Sequence, residues 1–131
     1  MKTKKILVAD DDLECLRMIE ELINDNFPET EVLRAVNGNE ARDKLMECSN
    51  EGESILVAAV LDYVMPGLNG LELAAFIRSR KETENISIIM VSGFIKHSAL
   101  LRGKFEGLGC PCLGKPIMPE EICGLLATVL Q

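Results

Sequence analysis

The sequence predicts an α/β protein with a doubly wound parallel sheet, (βα)5, whose five strands lie in the order 2-1-3-4-5. Short apolar segments alternate with segments whose apolar residues recur every three or four positions, which indicates parallel strands covered by helices on both faces. Residues 55–61 are apolar without interruption, as is typical of a central strand buried on both faces. Pro111 falls within the last predicted strand, residues 110–113, and proline is tolerated mainly on edge strands. Both details fit this strand order.

The first half of the chain contains two strand–helix units. Residues 6–9 form a short apolar strand, and the amphipathic pattern after them predicts a helix that Pro28 closes. Residues 30–36 are the second predicted strand. Asn37 begins a turn and helix cap, and the apolar positions within residues 41–48 mark the second helix.

The second half of the chain continues the alternation. Its predicted elements are a strand at residues 55–61 that leads into Asp62, a helix at 70–80, a strand at 86–91, a helix at 96–105, a strand at 110–113 and a helix from Pro119. Proline suits the first turn of a helix, where a backbone N–H has no partner within the helix. Units of this kind make right-handed crossovers.

Length and composition fit one domain, residues 1–131, with 47% hydrophobic residues to supply a core. The net charge of −7 argues against direct binding to nucleic acid and to anionic membranes, because both need basic surfaces. No apolar stretch approaches the roughly 18 residues that a membrane span needs. Acidic residues also end the first apolar run too early for a signal peptide. We therefore expect a cytoplasmic protein.

The five cysteines are scattered and follow no secretory signal, so we expect free thiols. Cys110 and Cys112 are their only cluster. A metal site at this pair would need further ligands, and the chain has a single histidine, His97. The sequence therefore favours small buried hydrophobic side chains here.

Polar side chains follow four of the five predicted strands. Asp10 and Asp11 follow the first strand, Asp62 the third, Ser92 the fourth and Lys115 the fifth. In the predicted strand order these four strand ends are neighbours. The carboxyl ends of the strands are where open α/β sheets place their ligands and their chemistry.

Each of these residues also has a purely structural interpretation. Asp62 could cap the turn made by the Pro-Gly loop that follows it. Asp11, with Glu14 three residues later, resembles a capping box at the first helix. Ser92 could be an ordinary turn serine, and Lys115 a solvated loop lysine. Only their joint occurrence, in order along the chain, favours a functional site.

The polar strand ends and their flanking residues resemble the receiver domain of two-component response regulators. The matching segments are residues 6–12, 61–70, 91–93 and 114–116. The resemblance covers the whole chain and implies a flavodoxin-like fold and the role of phosphoacceptor in a two-component phosphorelay. It implies that Asp62 takes a phosphoryl group from a phosphohistidine of a sensor histidine kinase or of a histidine phosphotransfer protein.

The same resemblance implies a Mg²⁺ cofactor. Asp11 and Asp62 would be direct ligands, the backbone carbonyl of Val64 would be a third, and Asp10 would act largely through water. Oxygen ligands suit Mg²⁺, which keeps several of its waters, and a cation removes the repulsion among three crowded carboxylates. Lys115 would offset the charge that develops during phosphoryl transfer.

The sequence departs from the family in the residues that relay the signal. Ser92 retains the hydroxyl that would donate to a phosphoryl oxygen, but Cys112 stands where the family often has an aromatic residue that turns inward on activation. We therefore expect signalling through Ser92 and a shift of the fourth helix, which changes the surface from that helix through strand five to the last helix. Val64 and Phe94 occupy the family's two hydrolysis-tuning positions. Both can shield phosphorus and neither can position a water, which predicts a long-lived phosphoaspartate.

Three other classes of protein compete with this interpretation. A phosphatase of the haloacid-dehalogenase type needs Thr or Val where this chain has Glu14, and a later acidic pair that this chain lacks. An FMN binder would need hydroxyls and amides in its first loop, where three aspartates would repel phosphate. A pseudo-receiver would have lost site residues that this chain retains.

The resemblance leaves the output open. The surface of the last two helices and strand five could serve an output domain, a partner protein or a second copy after phosphorylation. We interpret His97 as an exposed residue and not as an internal phosphodonor. The chain ends about where its last helix ends, so we expect either a stand-alone receiver or a domain of a larger regulator or hybrid kinase.

Overall fold

Strands and helices alternate along the part of the chain that the structure, a computed structural model, describes: residues 3–48, 52–94 and 98–130. The strands are β1 (Thr3–Ala9), β2 (Glu31–Ala35), β3 (Ser54–Asp62), β4 (Ser87–Ser92) and β5 (Cys112–Gly114). The helices are α1 (Leu13–Asn26), α2 (Gly38–Met46), α3 (Gly70–Ser79), α4 (Ala99–Gly107) and α5 (Pro119–Leu130). The strands pair in parallel in the order β2-β1-β3-β4-β5, which confirms the predicted fold class.

The central strand β3 divides the hydrophobic core in two. Its alternate side chains point to opposite faces of the sheet, as the pleat requires. Ala59 and Leu61 pack with α2, α3 and α4, whereas Ala58 and Val60 pack with α1 and α5. All four side chains are buried. The uninterrupted apolar run that predicted a central strand is therefore explained by burial on both faces.

Asp12 caps the first helix, and this result corrects the capping interpretation of Asp11. The Asp12 carboxylate accepts hydrogen bonds from the backbone N–H groups of Glu14 (3.0 Å) and Cys15 (3.4 Å). An N-cap side chain satisfies amide groups that lack partners within the helix. Asp11 is exposed beside this cap, so its carboxylate is not used to begin α1.

The last strand differs in its limits from the prediction. β5 begins at Cys112, so Pro111 lies just before the strand and not inside it. Proline has no N–H to donate to a ladder, but the Pro111 carbonyl still accepts a hydrogen bond from Met90 N (2.8 Å). β5 is nevertheless the edge strand next to β4, as predicted. Residues 95–97, which include His97 and the predicted start of the fourth helix, lie outside the described residues.

Local signals position the helix that follows β3. Asn69 and Glu72 form a reciprocal capping box at the start of α3. Gly70, the first residue of α3, has no room for a side chain, because a Cβ there would lie 2.7 Å from the Asp62 carbonyl oxygen. The helix therefore begins directly against the end of β3. Within the described residues, no helix is long and apolar enough to cross a membrane.

Candidate functional site

The ends of four strands meet at the carboxyl edge of the sheet. Asp62 is the last residue of β3, Ser92 is the last of β4, and Asp10 and Lys115 directly follow β1 and β5. Asp10, Asp62 and Ser92 are almost fully buried. The sheet therefore brings together the polar residues that the sequence singled out.

A lysine joins the two buried carboxylates. Lys115 Nζ lies 3.2 Å from Asp10 Oδ2 and 3.3 Å from Asp62 Oδ2. Burial alone would lower the pKa of Lys115, but the charges of Asp10 and Asp62 outweigh it and raise the pKa above its ordinary value. The lysine is therefore a fixed positive charge at this edge of the sheet.

Asp10 is only partly satisfied by the protein. Its Oδ1 accepts a hydrogen bond from the Asp12 backbone N–H (2.9 Å). Its Oδ2 is buried and has no hydrogen-bond partner, although it lies within ion-pair distance of Lys115. A buried acceptor in this state has a strong tendency to bind a water or a cation.

The acidic side chains form a cluster of suitable size for a metal ion. Asp10, Asp11 and Asp62 each place a carboxylate oxygen within 4.8 Å of the others. All the side-chain donors are oxygen atoms, which is the chemistry that Mg²⁺ prefers. The cluster and the Asp10 Oδ2 atom that accepts no hydrogen bond together fit a hard divalent cation.

The position of Asp62 perturbs its acidity. Burial, followed by the neighbouring charge of Asp10, raises the pKa of Asp62 from 3.8 to about 6, and Lys115 offsets part of this increase. The ionised form of the Asp62 side chain is thus less favoured, relative to the protonated form, than it would be in water. Any cation or positive group that approaches it is bound more strongly for that reason.

The hydroxyl of Ser92 faces the same edge and is tied to the following loop. Ser92 Oγ accepts a hydrogen bond from the Phe94 backbone N–H (3.0 Å). The backbone N–H of Lys115 donates to the Ser92 carbonyl (3.2 Å), which joins the ends of β4 and β5. Because Oγ only accepts in this contact, its O–H proton can be donated to another acceptor.

The loop after Asp62 is held against the second helix. The Gly38 N–H donates to the Pro66 carbonyl (3.0 Å), and a Cβ on Gly38 would overlap the backbone of Leu68. Gly67 has a φ of 79°, which glycine adopts without strain. Val64 lies two residues after Asp62 in this loop, with its side chain half exposed.

Comparison with known proteins agrees with this geometry. The response regulator receiver domain family matches residues 6–127. The chain belongs to this family. Among curated relatives, the cyclic di-GMP phosphodiesterase response regulator RpfG of Xanthomonas campestris is 29% identical over 126 residues, which span 96% of this chain and 32% of RpfG. A chemotaxis protein CheY homologue of Campylobacter jejuni is 38% identical over 88 residues, which span 67% of this chain and 63% of that protein.

Solved structures of receivers share the fold. CheY4 of Vibrio cholerae has a TM-score of 0.81 at 24% identity, with 98% of this chain and 99% of that chain covered. TrrA of Thermotoga maritima, in complex with Mg(2+)-BeF, has a TM-score of 0.78 at 25% identity, with 99% and 100% covered. These findings support the receiver interpretation and give no support to the phosphatase of the haloacid-dehalogenase type.

Cys112 is the residue that we expected, from the sequence, to stand in place of an aromatic side chain of the switch. It lies on β5, half buried against the core beneath α4. Burial, followed by the nearby Cys110 and Glu106, raises the pKa of the Cys112 thiol to about 11. The thiol is therefore neutral at physiological pH and packs as a small hydrophobic group. All five cysteines of this receiver are free, as expected.

Two residues that the sequence did not single out occupy important places in this receiver. Tyr63, the residue after Asp62, packs against Phe105 of α4. Arg78 of α3 binds three backbone carbonyls at the opposite edge of the sheet. The only sequence signal for Tyr63 was an aromatic residue directly after the acceptor, and Arg78 carried none.

Proposed function

We propose that this receiver accepts one phosphoryl group on Asp62 from a phosphohistidine of a sensor histidine kinase or of a histidine phosphotransfer protein. The observation that carries the proposal is the buried Asp62 carboxylate, 3.3 Å from Lys115 and clustered with two other aspartates at the sheet edge. In the reaction, an Asp62 oxygen attacks phosphorus, the P–N bond to the histidine breaks, and an acyl phosphate forms. The chain promotes its own modification and turns over no other substrate.

Mg²⁺ is the proposed cofactor, held by Asp11, Asp62 and the Val64 carbonyl, with Asp10 acting largely through water. When bound, the ion supplies the positive charge that offsets the crowded carboxylates and the phosphoryl oxygens. The acidic cluster and the Asp10 Oδ2 atom that accepts no hydrogen bond support this assignment. The complex of TrrA with Mg(2+)-BeF, on the same fold, supports it as well.

Lys115 and Ser92 complete the proposed site. The Lys115 ammonium lies between the two buried carboxylates and remains charged, so it stabilises the negative charge that accumulates on the phosphoryl group. The Ser92 hydroxyl donates a hydrogen bond to a phosphoryl oxygen, while Oγ continues to accept a hydrogen bond from the Phe94 N–H. Ser92 thereby connects the phosphorylated state to Phe94, in the turn after β4.

Two exposed apolar side chains shield the proposed phosphoaspartate. Val64 is 53% exposed and Phe94 is 58% exposed. Val64 is two residues after the acceptor Asp62, and Phe94 is two residues after Ser92, whose hydroxyl completes the proposed site. Neither side chain has a polar atom to orient a water, so we infer slow hydrolysis of the acyl phosphate.

The proposed output surface comprises α4, β5 and α5, for a partner protein, an output domain or a second copy. RpfG and the other relatives that carry additional length show that receivers occur within longer proteins. The net charge of −7 supports an output without direct contact to nucleic acid or to an anionic membrane, as expected for a cytoplasmic signalling protein.

The test is phosphorylation of the purified chain by acetyl phosphate with Mg²⁺, followed by intact mass spectrometry. We expect the wild-type chain to gain one phosphoryl group and Asp62→Asn to gain none. Asp43→Asn, at an exposed position on α2, is the matched control and should be phosphorylated normally. Phosphorylation of Asp62→Asn, or sustained hydrolysis of a generic phosphate ester, would contradict the proposal.

A further inference from the structure

An aromatic pair joins the phosphoacceptor strand to α4. The rings of Tyr63 and Phe105 meet edge to face, with centroids 5.5 Å apart and planes at 75°. This is a favoured geometry for aromatic side chains. Tyr63 is covalently next to Asp62, and Phe105 lies in the last turns of α4. Neither ring has a part in the proposed phosphoryl transfer, so the contact needs a separate explanation.

The backbone of Tyr63 is fixed on both sides. Its N–H donates to the Val91 carbonyl of β4 (2.9 Å), and its carbonyl accepts from the Gly70 N–H at the start of α3 (2.8 Å). Gly70 also leaves no space, because a Cβ there would lie 2.9 Å from the Tyr63 Cα. Tyr63 cannot relax independently of its surroundings. A displacement at the end of β3 therefore reaches its half-buried ring.

Phe105 is positioned to pass such a displacement to α4 and β5. Its side chain is fully buried, and its carbonyl accepts hydrogen bonds from Leu108 N (3.0 Å) and Cys110 N (2.9 Å). These two bonds connect the last turn of α4 to the segment that enters β5. Because a close-packed interior transmits strain instead of absorbing it, a moved Tyr63 ring must move Phe105 or be blocked by it.

We propose that Tyr63 and Phe105 form an aromatic relay that couples the phosphorylation state of Asp62 to the position of α4. The relay rests on the proposed function, since it requires a phosphoryl group on Asp62. Cys112 borders the same core but has too little volume to press on α4. In this chain the aromatic contact with α4 is thus made by Tyr63, the residue after Asp62 at the end of β3.

The chain offers a direct spectroscopic probe of the relay. Tyr63 is its single tyrosine, and it has no tryptophan. Tyrosine fluorescence therefore reports only on the ring in question. On phosphorylation by acetyl phosphate and Mg²⁺, we expect the fluorescence of the wild-type chain to change, together with amide hydrogen exchange in Ala99–Gly107. Intact mass, measured on the same samples, reports the extent of phosphorylation independently.

Substitutions separate a relay from ordinary core packing. In Tyr63→Leu we expect normal phosphorylation and a phosphorylation-dependent exchange response of α4 that is smaller by about fivefold or more. Tyr63→Phe keeps the ring and should retain the response. Phe105→Leu should lose it as Tyr63→Leu does. Phe76→Leu, a half-buried phenylalanine on α3 that stacks with Arg80, is the control and should respond normally.

The outcomes distinguish this inference from the proposed function. A wild-type chain that gains no phosphoryl group contradicts the proposed function, and the relay with it. A chain that is phosphorylated while α4 and Tyr63 stay unchanged contradicts the relay alone. Full retention of the α4 response in phosphorylated Tyr63→Leu would also overturn it. Tyr63→Leu decides the matter even if Phe105→Leu fails to fold, because the Tyr63 ring is only half buried.

Discussion

The amino and carboxyl ends of the strands differ in how their charged side chains are paired. At the amino end, the guanidinium of Arg78 donates to the carbonyls of Leu108 (2.9 Å), Glu84 (2.9 Å) and Ile86 (2.6 Å). At the carboxyl end, Asp10 keeps an oxygen without a hydrogen-bond partner, and the pKa of Asp62 is raised to about 6. At the amino end, the Arg78 guanidinium is paired with backbone carbonyls of the protein, whereas the carboxyl end retains clustered acidic oxygens that can bind an added cation.

This difference assigns separate tasks to the two ends. The arginine joins the end of α3 to the segments that enter β4 and β5, so it fixes the frame. The aspartates repel one another across the same frame and gain from any added positive charge. We therefore expect substitutions at the amino end to change stability alone. Substitutions at the carboxyl end should change stability and phosphorylation together.

Among substitutions that test this difference between the two ends, we expect the largest effect, a loss of stability, from Arg78→Met. The variant removes the charged donor from three backbone carbonyls, two of them in partly buried contacts, so the free energy of unfolding should fall by about 3 kcal/mol. The phosphorylation rate of the folded fraction should not change. Urea denaturation measures the first quantity and phosphate incorporation the second. Arg102→Met, at an exposed position on α4, should leave both unchanged; an equal loss there would remove the special role of Arg78.

At the carboxyl end, in contrast, Asp62→Asn should stabilise the metal-free protein. The pKa of Asp62 is raised in the folded state to about 6 from an ordinary 3.8, so ionisation opposes folding above both values. We expect a gain of about 2 kcal/mol at pH 7.5 in EDTA. The gain should shrink as the pH falls through 6 and be absent below about pH 4. Denaturation at several pH values measures it, and a gain that grows on acidification would contradict the assignment.

Magnesium provides the complementary measurement for the same variant. In the wild-type chain, added Mg²⁺ should raise the free energy of unfolding, because the ion binds only where folding brings the aspartates together. Asp62→Asn should respond much less. Asp43→Asn serves as the control and should respond as the wild type does.

A smaller effect is expected from Lys115→Met. The variant keeps the length of the side chain but removes the charge between Asp10 and Asp62, so phosphorylation by acetyl phosphate should slow by about tenfold. The lysine is partly exposed, which limits its contribution because water screens part of its charge. Lys104→Met on α4 is the matched control. An unchanged rate for Lys115→Met would show that the lysine serves structure alone.

The smallest effect is expected from Val64→Asn. The amide can orient a water that the valine excludes, so dephosphorylation should accelerate by about threefold. The decay of the phosphorylated mass after removal of the phosphodonor measures this rate. Val36→Asn, another exposed valine, should leave the rate as it is. If the decay rate of Val64→Asn equals that of wild type, shielding by Val64 is wrong.

The sequence was sufficient to predict those features that follow from regular backbone geometry. The pleat explains the apolar run before Asp62, and parallel pairing brings Asp10, Ser92 and Lys115 to one edge, so fold, strand order and candidate site could be predicted. Contacts between distant side chains could not. Arg78 and Leu108 are 30 positions apart, and the meeting of Tyr63 with Phe105 depends on how α4 lies on the sheet. No periodic pattern encodes either contact.

The first and last residues of β5 are a further example of what the sequence could not predict. The apolar segment around Pro111 predicted a strand that begins at residue 110, which is two residues too early. The ladder begins only at Cys112, because the register with Met90 of β4 decides where pairing starts. In the same way, the spacing to Glu14 suggested Asp11 as the cap of α1, and this suggestion was wrong. Backbone geometry selects Asp12, and Asp11 stays beside the acidic cluster.

The contact between the start of α2 and the loop after Asp62 has a consequence for exchanging parts between receivers. Gly38 lies so close to Leu68 that no side chain fits, and Gly67 lies against Asn39. A graft of one segment alone that replaced Gly38 would bring a side chain into the Leu68 backbone, and one that replaced Gly67 would bring a side chain against Asn39. A chimeric receiver should therefore transplant residues 37–39 and 66–68 together, although residues 40–65 separate them in the chain.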